Sequence, residues 1–127
     1  MKILVINQPF IPQYCRCQRW PAKTRGRAIR PPDWLCYAAA VLKRDGFDVE
    51  LYDFIAHNWD KTKLEKLTRE KNPDFVVLDS TTPSISSDID CAKICKTVSG
   101  CKVIMVGTHA TALASETLKS GQGNIDV

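Results

Sequence analysis

The sequence predicts an α/β fold in which helices cover both faces of a parallel sheet. Short apolar runs alternate with segments of helical period, and the connections between them are short apart from the first. Such alternation implies parallel strands joined by right-handed crossovers. The 127 residues also match a single domain of ~100 to 150 residues. We therefore expect a doubly wound, flavodoxin-like (Rossmann-like) three-layer sandwich with a parallel sheet of four to five strands.

Composition excludes several classes of protein. The chain is 44% apolar and 25% charged, as ordinary globular proteins are, and no apolar run approaches the ~20 residues that span a bilayer. The N-terminal MKILVINQPF lacks the small-residue cleavage site of a signal peptide. We therefore expect a cytoplasmic protein with no membrane partner, whose six cysteines are thiols or metal ligands rather than disulfides.

The first strand is the apolar run at residues 2–6, whose lack of alternation indicates a central strand buried on both faces. Asn7, Gln8 and Pro9 end it. Residues 8–32 then form a loop longer than the ~12 to 15 residues usual for structureless connections. This loop has no acidic residue and six basic ones: Arg16, Arg19, Lys23, Arg25, Arg27 and Arg30. It thus carries +6 in a chain of net charge +4, so the remainder carries −2.

The first helix and the second strand follow the loop. Pro31 and Pro32 prevent an earlier helix start, and Asp33 can cap a helix that runs to about Asp45, before a left-handed Gly46. Its predicted apolar stripe comprises Trp34, Leu35, Ala38, Ala39, Val41 and Leu42. Residues 47–54 alternate between apolar and polar side chains, which predicts an edge strand.

The second half repeats this unit twice more. Asp60 can cap a second, solvated helix that ends at Asn72, and a buried third strand at residues 75–78 leads into a hydroxyl-rich turn at residues 79–84. A third helix closes at Gly100. It carries the stripe Ile85, Ile89, Ala92, Cys95 and Val98. A fourth strand at residues 102–106, a fourth helix from Thr111 to Lys119 capped by Gly121, and the start of an interrupted fifth strand at residues 125–127 complete one domain over residues 1–127.

In a sheet of this kind, ligands bind at the carboxyl ends of the strands. The candidate site therefore comprises the loops after the first, third and fourth strands. No G-x-G-x-x-G or P-loop motif is present, which argues against dinucleotides and nucleoside triphosphates. A receiver domain is also disfavoured, because Asn7 and Gln8 stand where its acidic cluster would be.

Four segments in order carry a family resemblance: MKILVINQPF, PPDWLCYAAAVLKRDGFDVELYD, PDFVVLDSTTPS and KVIMVGTHATAL, followed by NIDV. Together they resemble the N-terminal cobalamin-binding domain of cobalamin-dependent radical SAM enzymes. The resemblance implies that this domain binds and orients the corrin without catalysing a reaction. It also implies a partner, a C-terminal radical SAM barrel of the parent chain with an iron–sulfur cluster and S-adenosylmethionine.

A corrin is a flat, largely apolar ring fringed with amides, so its site needs small residues, hydroxyls and free N–H groups. The residues that we expect to contact it are Asn7, Gln8, Pro9, Ser80, Thr81, Thr82, Gly107, Thr108, His109, Ala110 and Thr111. An alternative role for Ser84 and Thr111 is to cap the helices that follow. The Asp-x-His-x-x-Gly motif that supplies an axial histidine is absent, so we expect neither His57 nor His109 to ligate cobalt.

The cysteines do not form the Cys-x-x-x-Cys-x-x-Cys motif of a radical SAM cluster. Cys91 and Cys95 lie one helical turn apart, which favours packing. Cys15 and Cys17 flank Arg16, whose charge could lower their pKa and make them reactive.

Two alternative functions remain open. One is a cofactor-free docking or scaffold domain of the same fold. The other, less favoured, is a phosphate- or nucleic-acid-binding module in which Trp20 and Tyr14 stack on bases beside the basic loop. Charges in such loops are more often simply solvated.

Overall fold

The computed structural model describes residues 1–17, 22–23 and 29–127. Its elements, in chain order, are β1 (Lys2–Asn7), β2 (Tyr14–Cys15), β3 (Ala22–Lys23), α1 (Asp33–Arg44), β4 (Asp48–Asp53), α2 (Lys61–Lys71), β5 (Phe75–Ser80), α3 (Ile85–Ser99), β6 (Lys102–Gly107), α4 (Thr108–Ala112) and α5 (Ala114–Gly121). A short 3₁₀ turn, Thr82–Ser84, precedes α3.

The main sheet has four parallel strands in the order β4-β1-β5-β6, with β1 inside and β4 at an edge, as predicted. The two-residue strands β2 and β3 form a separate antiparallel ribbon. From β1 the chain moves outward to β4, and it then returns to β5 on the other side of β1. The strand order therefore reverses between β1 and β5, which makes this pair the switch point of the sheet.

Helices cover the two faces of the sheet unequally. On one face, side chains of α2 and α3 pack on the strands in a large core that includes Leu4, Leu64, Leu78, Cys95 and Val103. On the other face, the core formed by the described residues receives helix side chains from α1, namely the buried Leu35 and the partly buried Ala39 and Leu42. The three-layer arrangement is confirmed, and the thinner layer lies on the α1 face.

Helix α1 has the predicted length but a narrower buried stripe. Trp34 and Val41, placed in the stripe by their spacing, are 71% and 46% exposed, and Tyr37 is 69% exposed. The spacing predicted the helix correctly, but α1 turns only Leu35 fully into the core. Asp33 is the first helical residue rather than the cap, because Pro32 occupies the cap position.

The ends of the other helices can be compared with the ends that the sequence predicted. The Asp60 side chain accepts a hydrogen bond of 2.8 Å from Lys63 N, and α2 ends at Asn72, both as predicted; Asn72 adopts the left-handed conformation. Gly100 likewise ends α3. The predicted fourth helix was wrong in its bounds: it is split at Leu113 into α4 and α5, and Gln122 rather than Gly121 provides the left-handed cap.

The last residues run beside β6. Asp126 N donates to Val103 O at 2.8 Å, and Met105 N donates to Val127 O at 2.7 Å. The fifth strand itself stays a prediction. No helix among the described ranges combines the length and apolarity needed to cross a membrane.

Candidate functional site

The carboxyl ends of β1, β5 and β6 meet at one edge of the sheet, where the three candidate loops come together. At the switch point, the Gln8 side chain reaches from the end of β1 to Asp79, near the carboxyl end of β5. Its Oε1 accepts from Asp79 N at 3.2 Å, and its Nε2 donates to Asp79 O and, at 2.7 Å, to Asp88 Oδ1. Gln8 is fully buried. Its side chain therefore joins β1 to β5 and to helix α3.

A buried ion pair between Arg16 and Asp88 adjoins the Gln8 side chain. Arg16 Nη2 is 2.7 Å from Asp88 Oδ1, and neither side chain is exposed. Arg16 Nη1 also donates to Asn7 Oδ1 at 3.0 Å and to Gln8 O at 2.9 Å. Burial raises the pKa of Asp88, and the attraction of Arg16 opposes this shift. One of the six charges of the basic loop is therefore neutralised inside the protein rather than solvated.

A chain of hydroxyl groups extends the same network. Tyr14 Oη lies 2.9 Å from Thr81 Oγ1, which lies 2.7 Å from Ser84 Oγ, and Ser84 Oγ donates to Asp88 Oδ2 at 2.6 Å. Ser84 stands at the start of α3 without a capping hydrogen bond from its side chain. Residues 14–16 are thus held to the start of α3 by hydrogen bonds and the Arg16–Asp88 ion pair.

This network occupies several residues that the sequence placed at the cofactor. Asn7 also donates to Asp53 Oδ1 at 2.8 Å, and Pro9 is buried. The Thr81 hydroxyl group is hydrogen-bonded within the chain of hydroxyl groups. Ser80 Oγ donates to Val106 O at 2.7 Å and accepts from Ala110 N at 3.1 Å. The hydrogen-bonding groups of Asn7, Gln8, Ser80 and Thr81 are therefore directed into the protein.

Gly107 sets the approach of the β6–α4 loop to β5. Its φ is +102°, a conformation that favours glycine, and a Cβ there would lie 2.7 Å from Ser80 N and closer still to Asp79 Oδ1 and Ser80 O. No side chain fits at this position. Because residue 107 has no side chain, α4 can begin directly after β6, and the Asp79 carboxylate lies beside the Gly107 backbone.

An open cavity of about 500 Å³ lies next to Gly107 on the α1 face. Its lining combines apolar and small residues with two threonines and one carboxylate: Trp34, Leu35, Ala38, Val77, Asp79, Val106, Gly107, Thr108, Thr111 and Ala112. Burial raises the pKa of Asp79 to about 6, against the opposing effects of Arg16 and of the Ser80 backbone N–H. Of the predicted residues, Gly107, Thr108 and Thr111 line this cavity.

The other predicted residues after β5 and β6, and His57, do not line this cavity. His109 Nδ1 is 3.1 Å from Thr82 Oγ1, so these two side chains connect the loops after β5 and β6. Ala110 is buried and lines a second cavity of about 270 Å³ between β6 and helices α4 and α5. His57 stacks on Trp59, with ring centroids 4.5 Å apart.

The sequence placed Asp79 in the candidate loop after the third strand but not among the corrin contacts, and it missed Asp88 and the place of Trp34 in the cavity lining. A signal for Asp88 was available, because it precedes Ala92 by four residues and Cys95 by seven and so shares their buried face. An aspartate at such a position predicts a buried partner. No comparable signal singles out Arg16, since its partner is 72 residues away in the chain.

The thiol and stacking hypotheses are corrected by burial. Burial raises the pKa of Cys17 to about 12, so Arg16, which turns towards Asp88, does not activate it. Tyr14 is only 2% exposed and cannot stack on a base from solution, while Trp20 lies outside the described residues. Cys91 and Cys95 are buried in the core, as predicted for packing. Within the described ranges, no three His, Cys, Asp or Glu residues are grouped so as to hold a metal ion.

Comparisons with known proteins agree with this architecture. The family model of the B12 binding domain matches residues 27–127. Two solved structures are similar, both of the radical S-adenosylmethionine methyltransferase TsrM from Kitasatospora setae. The structure with tryptophan and a SAM analogue bound has a TM-score of 0.73 at 15% identity, and that with cobalamin and a [4Fe-4S] cluster bound has 0.71 at 16%.

Each of these similarities covers 95% of this chain but 22% of the other, so the chain spans about a fifth of the length of those proteins. Identities this low show the shared fold alone. A comparison with curated proteins finds no match. The family model, in contrast, spans most of the chain and includes β4, β5, β6 and the whole cavity lining. The chain therefore belongs to the B12 binding domain family.

Proposed function

We propose that this domain binds cobalamin on the α1 side of the sheet edge and orients it for a radical SAM barrel in the same parent chain. The observation that supports the binding site is the cavity beside Gly107. At this point of the carboxyl edge, the described residues combine apolar walls, a backbone without a side chain and the hydroxyl groups of Thr108 and Thr111. The family match supports the choice of cofactor.

The residues present fit a corrinoid. Leu35, Val77 and Val106 offer apolar surface to a largely apolar ring system, and Thr108 and Thr111 offer hydroxyl groups to its amides. Thr82 and His109 extend the polar rim. When bound, cobalamin supplies a cobalt atom able to carry a methyl group.

The part of this chain is to hold the cofactor and to exclude water from its inner side. The Gly107 backbone permits close approach, while the hydrogen bonds of Ser80 to Val106 and Ala110 keep the β6–α4 loop in place. We assign no catalytic residue to the domain.

Binding is tested by equilibrium dialysis against hydroxocobalamin, with corrin absorbance as the readout. Ala38→Trp fills the cavity, so it should abolish binding or weaken it at least tenfold. Ala40→Trp is the matched control, because Ala40 is also exposed on α1 but does not line the cavity. If the wild-type protein retains no corrin, the cofactor-free scaffold function replaces this proposal. If Ala38→Trp binds as well as the control, cobalamin binds elsewhere.

The radical SAM context is supported by the two similar structures, whose chains are several times longer than the matching region. The coding sequence of the parent protein tests it directly. A Cys-x-x-x-Cys-x-x-Cys motif within about a hundred residues after Val127 is expected, and a parent protein without that motif would contradict the assignment.

A further inference from the structure

Asp79 is a charged residue in a place where the strand pattern calls for an apolar one. Side chains alternate along β5, so Phe75, Val77 and Asp79 share the α1 face of the sheet. Asp79 is only 6% exposed and lines the cavity between Val77 and Gly107. Among the described residues of the lining, Asp79 carries the one acidic group, and the others are apolar, small or hydroxyl-bearing.

The position of Asp79 is set by its neighbours. The Gln8 side chain binds both the N–H and the carbonyl of Asp79, which ties its backbone to β1. A side chain at residue 107 would overlap Asp79 Oδ1, so Gly107 leaves the space that the carboxylate occupies. The carboxylate is therefore presented to the cavity by a backbone that is held on both sides.

No salt bridge joins Asp79 to a basic side chain among the described residues. The nearby guanidinium of Arg16 pairs instead with Asp88. A buried carboxylate without an ion-pair partner is costly, and its pKa of about 6 reflects that burial. A ligand that donates a hydrogen bond into the cavity would offset this cost.

We propose that Asp79 is a specificity-determining residue, which accepts a hydrogen bond from a neutral donor of the bound corrinoid and disfavours corrinoids that carry a carboxylate there. This inference rests on the proposed cobalamin-binding function. An ionised carboxylate is an acceptor only, so it selects N–H or O–H groups. It repels an anion more strongly inside a low-dielectric cavity than it would in water. Cobalamin offers two kinds of neutral donor, its side-chain amides and the free hydroxyl groups of its ribose.

The test compares the wild-type protein with Asp79→Asn by equilibrium dialysis at pH 7.5. The probes are hydroxocobalamin, hydroxocobinamide, which lacks the ribose, and hydroxocobalamin monocarboxylates, in each of which one amide is hydrolysed to an acid. We expect Asp79→Asn to lower the affinity for hydroxocobalamin about tenfold, as for loss of a charged hydrogen-bond acceptor. Asp33→Asn, which removes an exposed carboxylate from the first turn of α1, is the control and should change little.

The probes separate the two donors. If an amide is the donor, the substitution weakens hydroxocobinamide equally, and the wild-type protein rejects at least one monocarboxylate that Asp79→Asn accepts. If the ribose hydroxyl is the donor, hydroxocobinamide is insensitive to the substitution. Equal affinities of Asp79→Asn and wild type for all probes would overturn the inference while leaving cobalamin binding intact. A wild-type protein that binds no probe would instead overturn the proposed function.

A pH series supplies a second readout. Among the described residues, the charged groups that act on Asp79 are Arg16 and Asp88, and Asp79 also faces Cys17, whose pKa, at about 12, lies far above the range used. The affinity difference between wild type and Asp79→Asn should shrink as the pH falls through about 6, because protonation removes the same charge as the substitution. Any titration of Asp88 is common to both proteins. A difference that is constant from pH 5 to 8 would count against the role of the Asp79 charge.

Discussion

The ion pair between Arg16 and Asp88 gives the sharpest prediction about stability. Asp88→Asn keeps the size and most hydrogen-bonding positions of the side chain but removes its charge. The guanidinium of Arg16 then stays fully buried with no opposite charge in contact, because its other partners, Asn7 Oδ1 and Gln8 O, are neutral. Its Nε already has no hydrogen-bond partner among the described residues.

The expected loss follows from burial. Breaking a buried pair by removing one charge costs about 3–5 kcal/mol. For a domain of this length, each kcal/mol lowers the melting temperature by roughly 4 °C, which gives a drop of roughly 12–20 °C. Asp90→Asn is the matched control two residues away, where Asp90 pairs with Lys61 at 2.9 Å but both side chains are exposed. That control should cost about 1 kcal/mol or less.

Urea unfolding followed by circular dichroism measures both variants against wild type. The double substitution Arg16→Met with Asp88→Leu should recover only part of the loss, because it removes the unpaired charge but takes the Arg16 donor away from Asn7 Oδ1 and Gln8 O. An Asp88→Asn variant within about 1 kcal/mol of the Asp90→Asn control would refute the reasoning. It would mean that water reaches Arg16 and screens its charge.

Three further predictions concern Gly107 in the β6–α4 loop, the expected lack of a histidine ligand to cobalt, and Asp126 near the end of the sequence. Gly107→Ala should cost about 1–3 kcal/mol through strain at positive φ and should abolish hydroxocobalamin retention, since its Cβ overlaps Asp79 and Ser80; normal stability and binding would contradict this. In protein containing ¹⁵N-histidine, the cobalt(II) EPR spectrum of the cobalamin complex should match that of unlabelled protein, and a changed superhyperfine splitting would show a histidine ligand. The pKa of Asp126 falls to about 2 because hydrogen bonds, chiefly from Lys96 and the Val103 N–H, outweigh the desolvation that acts to raise it. Asp126→Asn should therefore lower the unfolding free energy at pH 7 by roughly 1 kcal/mol, with the difference lost as pH falls from about 4 to 2; a difference that persists at pH 2 would contradict this.

Local signals in the sequence predicted the elements well where local physics decides. The cap of α2 at Asp60 and its left-handed end at Asn72 depend on residues within one turn, so the sequence determines them directly. The α1 helix itself was equally clear from its spacing. The exposure of Trp34 was not, because it depends on how much of the α1 face the rest of the fold covers.

The candidate site was harder to predict, because the direction of several of its side chains depends on contacts between distant parts of the chain. Gly107, Thr108 and Thr111 were predicted to lie at the sheet edge because parallel strands bring their ends together there, and all three line the cavity; their contact with a cofactor stays a prediction. The inward direction of Asn7, Gln8 and Thr81 could not be predicted, since it depends on a loop arginine that pairs with a helix 72 residues away. From the composition of residues 8–32, Arg16 was expected to be one of the solvated charges of a basic loop.

The buried network also explains where a ligand can bind at this sheet edge. The general rule places ligands in the crevice at the switch point, here between β1 and β5. In this protein Gln8 spans that crevice, and Arg16 and Tyr14 fill the space towards α3. The open cavity lies one strand further along, between α1 and the ends of β5 and β6. A cofactor in the proposed site would therefore meet Asp79 and the β6–α4 loop rather than the end of β1, which is why substitutions at Asp79 and Gly107 test the proposal.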